Sequence, residues 1–384
     1  MRGNRITAVG HAGSVAIPRR AEVMDVAGRI VCPGFVEVHI HGYDGVMMGS
    51  LAASPASATG TVHGDILAVA RRLPATGITS FLPTLLGAPG FDDILASLAE
   101  AKKAISEARQ GAHILGIHME GPFFNPSPKG PHNRWPPGGA IPADLARRAS
   151  VEELHRMVET AGGHIRMMSL SPEIDGALDV IRELDRLGIV ASGAHSFATY
   201  DQTLAAVEAG MRTVTHMFNG MRHQDHRDPG IIEAALVCDK ITGQIIADGI
   251  HVQPPVLEMA IRCKGTHNLA ITTDNTAYAG MPNGPYQDFA GRPLVKTDEY
   301  VRLVDGPLFG SVMPMNCQLQ TLVTRLGLPV AEAIRMATVV PARLIGGLAA
   351  TGSLEPGKDA DILVLSEQLD VELAICRGVR AFPA

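Results

Sequence analysis

The sequence predicts an α/β fold: a (β/α)8 barrel with a small β-sandwich domain formed by the N- and C-terminal segments. Three observations carry this. Eight short strand-like runs alternate with helical periodicity over about 240 residues, the count and length of such a barrel. No Gly-x-Gly-x-x-Gly turn follows the first of these strands, which argues against a doubly wound sheet. Both ends of the chain are instead β-prone and turn-rich. The expected boundaries are 1–32 with 350–384 for the small domain and 33–349 for the barrel.

Taken in order, residues 1 to about 31 hold short β-prone pieces (Arg5-Ile-Thr-Ala-Val, Ser14-Val-Ala-Ile-Pro, Arg29-Ile-Val) suited to a small sheet. The barrel strands are then expected at Phe35–His41, Thr79–Pro83, Ile114–Glu120, Ile165–Leu170, Ile189–Ser192, Thr213–His216, Gln244–Asp248 and Leu269–Asp274. Each is a brief apolar run of the kind a strand buried on both faces requires. Helical spacing separates them at Gly64–Thr76, Phe91–Gln110, Val151–Ala161, Ala177–Leu187, Thr199–Gly210, Ile231–Lys240 and Pro255–Cys263. A last helix is expected at Val330–Leu344, after which Gly352 to Leu365 returns to strands and turns.

Composition narrows the function class. A hydrophobic fraction of 46% is ample for a core, yet no apolar run approaches the roughly 20 residues of a membrane span. The start of the chain lacks a basic region leading into an apolar segment, so no signal peptide is expected. The net charge of -6, with both signs scattered, argues against a nucleic-acid or anionic-membrane surface. The five cysteines, Cys32, Cys238, Cys263, Cys317 and Cys376, lie far apart and form no Cys-x-x-Cys pair. They read as buried thiols of a cytoplasmic protein.

Barrels of this type carry their chemistry at the C-terminal ends of the strands. Here the first strand ends His39-Ile-His41, and residues i and i+2 project to one side. The third ends at Glu120, the fifth runs out at His195, the sixth ends at His216 and the eighth at Asp274. A carboxylate closing an apolar strand is costly to bury unless something positive meets it, so Glu120 reads as the centre of a metal site. Imidazole and carboxylate ligands suit Zn²⁺ or a similar divalent ion, and an excess of them favours an open, catalytic site.

The blocks Pro33 to Gly42, Gly116 to Pro122 with Lys129-Gly-Pro-His-Asn133, Gly193-Ala-His-Ser196, Thr215-His-Met-Phe-Asn219, Arg227-Asp-Pro-Gly230, Ala247 to His251, Thr273-Asp274 and Met336 to Arg343 resemble the N-acetylglucosamine-6-phosphate deacetylase family of the amidohydrolase superfamily, in the family's order. The resemblance implies metal-dependent hydrolysis of the acetamide of N-acetylglucosamine 6-phosphate to glucosamine 6-phosphate and acetate, usually by a homodimer. It makes Glu120, His195 and His216 the main metal ligands, and His39 with His41 the pair that builds a second metal position. It makes Asp274 the general base, and His132 and His251 contacts to the sugar and reacting carbonyl. Asn219, Gly220 and Arg227 become the 6-phosphate binders, and the family's arginine can come from the partner subunit. One or two ions per subunit are expected, Zn²⁺ first, with Fe²⁺, Mn²⁺ and Co²⁺ as alternatives. The reading assigns His118 to a packed layer behind Glu120, and His223 and His226 to loop surface.

Three alternatives stand beside it. N-acetylgalactosamine 6-phosphate, or another N-acyl amino sugar, fits the same motifs. A cyclic-amide hydrolase of the dihydroorotase or hydantoinase type would bridge its metals with a modified lysine at the end of strand four. That strand ends Met168-Ser-Leu-Ser-Pro172, and no lysine occurs from Gly130 to Asp239. A non-catalytic scaffold would be expected to lose the base, whereas Asp274 is present.

Overall fold

The structure, a computed structural model, describes residues 1–11, 13–49, 59–125, 145–288 and 291–383. Eight parallel strands form the barrel, in the spatial order Phe35–Ile40, Ile78–Leu86, Ile117–Glu120, Ile165–Leu170, Val190–Gly193, Thr213–Val214, Thr242–Ile245 and Leu269–Ile271. Every position of the first strand is buried, as a strand covered on both faces requires. Helices Val62–Arg72, Phe91–Glu107, Val151–Thr160, Ala177–Arg186, Tyr200–Ala209, Ile231–Val237 and Pro254–Lys264 alternate with the strands. Their starts are written locally: Thr199 accepts from the Gln202 N–H while the Gln202 side chain accepts from the Thr199 N–H, a reciprocal cap.

The first and last strands are joined by side chains and loop backbone. The buried Glu37 carboxylate accepts from Thr272 Oγ1 at 2.6 Å, from the Thr273 N–H at 2.8 Å and from the His39 N–H at 2.8 Å. The Asp274 N–H donates to the His39 carbonyl at 2.9 Å, and the His41 N–H to the Asn275 carbonyl at 2.8 Å. Burial pushes the Glu37 carboxyl up to about 7, against hydrogen bonds that hold it down. Asn275 is also fixed here, its Oδ1 accepting from Ser311 Oγ at 2.7 Å.

Both terminal segments contribute to a four-stranded antiparallel sheet in the order Ile30–Pro33, Ile362–Leu365, Val371–Cys376 and Val379–Phe382. The pieces at Arg5–Val9 and Ser14–Pro18 do not join it as strands. Only isolated bridges at Arg2 and Arg5 form: Ile6 is buried and its N–H donates to the Lys358 carbonyl at 2.9 Å, but Val9 and Ile17 are exposed, so the pairing is not extended into a strand. The expected single helix Val330–Leu344 is two, Val330–Ala337 and Val339–Leu344. Pro341 explains the break, because its ring would meet the Ala337 carbonyl in a continuous helix. The third barrel strand is interrupted at Leu115–Gly116, where Gly116 has φ 154 and a Cβ would lie 2.7 Å from the His164 carbonyl oxygen. Helix Met315–Leu326 and the sheet of Gly284–Gln287, Pro293–Lys296 and Val301–Leu303 stand where the sequence suggested no element. Among the described residues, no helix is long and apolar enough to cross a membrane.

Asp361 ties the small sheet to the barrel. Its carboxylate accepts from the Arg377 N–H at 2.8 Å, Thr351 Oγ1 at 3.1 Å and Ser80 Oγ at 3.4 Å. Burial nevertheless raises its carboxyl to about 6. The folded chain therefore holds this proton more tightly than the unfolded chain, so stability falls as pH rises from about 4 to about 6. Asp361→Asn keeps the acceptor for Arg377 and removes the charge. It is expected to be more stable than the wild type at pH 8 by on the order of 2 kcal/mol, the gap closing towards pH 4. Denaturant melts across that range check this, and a variant less stable at every pH contradicts it.

Candidate metal centre

The sixth, seventh and eighth strands end sooner than the apolar runs suggest, and the chemically capable residues sit at or just past the strand ends. His195, His216 and Asp274 have φ of 44°, 34° and 52°, left-handed values that stop a strand. Non-glycine residues held this way cost on the order of 1 kcal/mol or more each and cluster at functional sites.

These side chains converge on the Glu120 carboxylate. Its Oε1 faces His195 Nε2 at 3.1 Å and His216 Nε2 at 3.3 Å. Its Oε2 faces His41 Nε2 at 3.0 Å and His39 Nε2 at 3.9 Å. Asp274 Oδ1 completes the second group, 3.2 Å from His39 Nε2 and 3.5 Å from His41 Nε2. One carboxylate thus stands between two pairs of imidazoles. His39, His41 and Asp274 form one set with metal-ligand spacing, and His39, Glu120 and His216 another.

The donor set fits a divalent cation. His39 is fully buried, and neither of its ring nitrogens makes a hydrogen bond. The two Nε2 atoms of His195 and His216 lie only 3.2 Å apart beside the same carboxylate oxygen. The His216 Nδ1–H donates to the Asn219 carbonyl at 3.0 Å, which fixes the ring with Nε2 turned towards Glu120. Burial works against the charge of Glu120, but His39 and the hydrogen bonds from His195, His216 and His41 hold its carboxyl well below the usual range. Burial likewise opposes ionisation of Asp274, yet His39, His41 and His216 bring it down to about 2. It is therefore an ionised acceptor at neutral pH.

A directional chain lies in the layer beneath. Burial lowers the His118 pKa well below its ordinary value, so the ring is neutral. Its Nδ1–H donates to the Val38 carbonyl at 2.8 Å, so Nε2 accepts from Ser169 Oγ at 2.7 Å. Ser169 then accepts from Thr215 at 2.8 Å, and Thr215 from Ser192 at 2.6 Å. These hydroxyls are fully spent within the barrel and pin the strands that carry Glu120, His195 and His216.

The remaining predicted residues fall into four situations. Asn219 and Gly220 adjoin the centre through backbone: a Cβ on Gly220 would lie 2.8 Å from His195 Nδ1, so only glycine fits. His251 follows the seventh strand, its ring held by Asp248 Oδ2 at 2.6 Å from Nδ1. Arg227 is exposed and joins no ion pair among the described residues; only its backbone N–H is engaged, with Asp225. His132 lies outside the described residues. His223 and His226 are exposed. Glu173 was not evident from sequence. It accepts from Ser196 Oγ and the Phe197 N–H and so anchors the loop after His195.

Residues 30–380 match the amidohydrolase family. The chain is 32% identical to the N-acetylgalactosamine-6-phosphate deacetylase of Escherichia coli O157:H7, over 94% of this chain and 90% of that protein. It is also 32% identical to the N-acetylglucosamine-6-phosphate deacetylase of Vibrio furnissii, over 95% of this chain and 86% of that protein. A mutant N-acetyl-D-glucosamine-6-phosphate deacetylase from Mycobacterium smegmatis, solved in complex with N-acetyl-D-glucosamine-6-phosphate, superposes with a TM-score of 0.84 at 30% identity, over 99% of this chain and 93% of that one.

Proposed function

The chain belongs to the amidohydrolase family and, within it, to the N-acetylglucosamine-6-phosphate deacetylases, and on that premise we propose how its residues perform the reaction. The substrate is N-acetylglucosamine 6-phosphate, and the products are glucosamine 6-phosphate and acetate. The observation that carries the reading is the Glu120 carboxylate with one oxygen towards His195 and His216 and the other towards His41 and His39. Glu120, His195 and His216 would hold the main divalent ion, and His39 with His41 would offer ligands for a second. Zn²⁺ is the ion best matched to this mixed imidazole and carboxylate set. A bound divalent ion supplies a Lewis acid and lowers the pKa of water towards ~7.

Asp274 is the general base. Ionised and 3.2 Å from His39, it takes the proton of the attacking water and returns it to the nitrogen of the leaving amine. His251, oriented by Asp248, faces the sugar, and His132 donates to the developing oxyanion. Asn219 and Gly220 receive the 6-phosphate together with Arg227. The exposure of Arg227 fits an arginine that completes the site of a partner subunit in a homodimer. A cytoplasmic location accords with five cysteines that are all free, although only Cys32 and Cys376 are buried and Cys263, on the outer face of its helix, is exposed.

Arg227→Ala should weaken binding of the phosphorylated sugar by about ten- to a hundredfold, the worth of a charge-assisted pair of roughly 1.5–3 kcal/mol. Hydrolysis of unphosphorylated N-acetylglucosamine should be nearly unchanged. Steady-state acetate release with both substrates tests this, and equal losses on the two would remove Arg227 from the phosphate site. The same assay with N-acetylgalactosamine 6-phosphate decides between the epimers, since the chain is 32% identical to a deacetylase of each kind.

A further inference from the structure

The end of the barrel opposite the metal centre carries a concave surface that deacetylation does not use. Helices Val62–Arg72 and Phe91–Glu107 both run back to the N-terminal ends of the strands. There the segment 108–113 faces the turn that joins Val371–Cys376 to Val379–Phe382. The cleft between them encloses about 760 Å³ and is lined by Arg71, Arg109, Arg377 and Arg380 with His113, and by no Asp or Glu. Its volume lies within the ~300–1,000 Å³ typical of small-molecule sites.

All four arginines are exposed. Arg109 donates to the Ser106 and Ala108 carbonyls and Arg380 to the Pro383 carbonyl. Among the described residues, none of the four guanidiniums is ion-paired. The nearby carboxylate of Asp359 is taken by Arg5 at 3.1 Å. The His113 Nδ1 atom is buried and makes no hydrogen bond. The shape of the cleft is fixed by close packing: a Cβ on Gly111 would lie 2.1 Å from the Ala70 carbonyl oxygen.

Arg377 itself is unusual. It and Gly378 form a two-residue hairpin loop with φ of 48° and 79°, a geometry that favours Asn, Asp or Gly in the first position. An arginine kept in that disfavoured backbone, with its side chain on the cleft, points to a role for the guanidinium. Four unpaired guanidiniums around one cavity repel one another and match a ligand bearing several phosphate charges, which each fork can grip through two parallel hydrogen bonds.

We propose that this cleft is a second ligand site, binding a small anion with two or more phosphate charges, of nucleotide size. The probes are inorganic pyrophosphate and ADP, titrated calorimetrically into the full chain at physiological salt with glucosamine 6-phosphate saturating the catalytic face. One saturable site per chain is expected, with affinity at least tenfold weaker in Arg71→Gln/Arg377→Asn, whose deacetylase turnover stays at the wild-type level. Asn tolerates the left-handed turn, so the hairpin is retained; Arg109→Gln/Arg380→Gln serves as a second variant should the first fail to fold. No saturable binding of either probe overturns the proposal, as does unchanged affinity in the variants or equal affinity for sulfate.

Discussion

Glu120→Gln is expected to release the bound metal and to lower deacetylation by about 10³-fold or more. The substitution keeps the size of the side chain and one carbonyl oxygen but removes the charge. Glu120 lies within reach of all four histidines, with contacts of 3.0, 3.1, 3.3 and 3.9 Å. Metal ions contribute several kcal/mol of transition-state stabilisation, and each 1.4 kcal/mol is tenfold in rate. Elemental analysis of wild type and variant, both purified without chelator, supplies the first readout, and acetate release the second. The wild type should carry more than one equivalent of divalent metal, falling towards one in His39→Asn/His41→Asn. A Glu120→Gln protein with full metal content and near-normal turnover would remove Glu120 from the centre of the account.

The second large effect belongs to Asp274→Asn. Asn preserves volume and can still meet His39 but cannot accept the proton of the attacking water. Turnover should fall by about 10²–10⁴, the range for losing general acid–base assistance, while metal content is largely retained. That combination separates the base from the ligands, because Glu120→Gln loses both together. Near-normal turnover in a folded Asp274→Asn protein would mean that another group takes the proton.

How far the sequence anticipates this depends on whether a residue's partners are local. The eight barrel strands and seven of the helices are readable because each is a short apolar run or an amphipathic period, some of the helices with their own caps, as at Thr199 and Gln202. The strand-end residues His39, His41, Glu120, His195, His216 and Asp274 are readable because barrel topology puts all strand ends on one face. Glu37 is not. In the sequence it is one polar residue within an apolar strand, and its partners Thr272 and Thr273 lie 235 and 236 positions away, reached only when the barrel closes. The chain Ser192–Thr215–Ser169–His118 is hidden for the same reason, since each member comes from a different strand. The break at Thr338 could have been drawn from Pro341, and Gly116 was a visible sign that the third strand is interrupted. The segments Arg5–Val9 and Ser14–Pro18 carry strand-like composition, but only the start of the first finds a partner, at Asp359, and composition alone does not show how far pairing will run.

The most direct test of the metal-dependent deacetylase account is acetate release from N-acetylglucosamine 6-phosphate before chelation, after chelation, and during stepwise return of Zn²⁺. The account predicts that activity is lost with the metal and returns in proportion to Zn²⁺ added, reaching its plateau at no more than two equivalents per chain. Metal-free protein that releases acetate at the undepleted rate would contradict it.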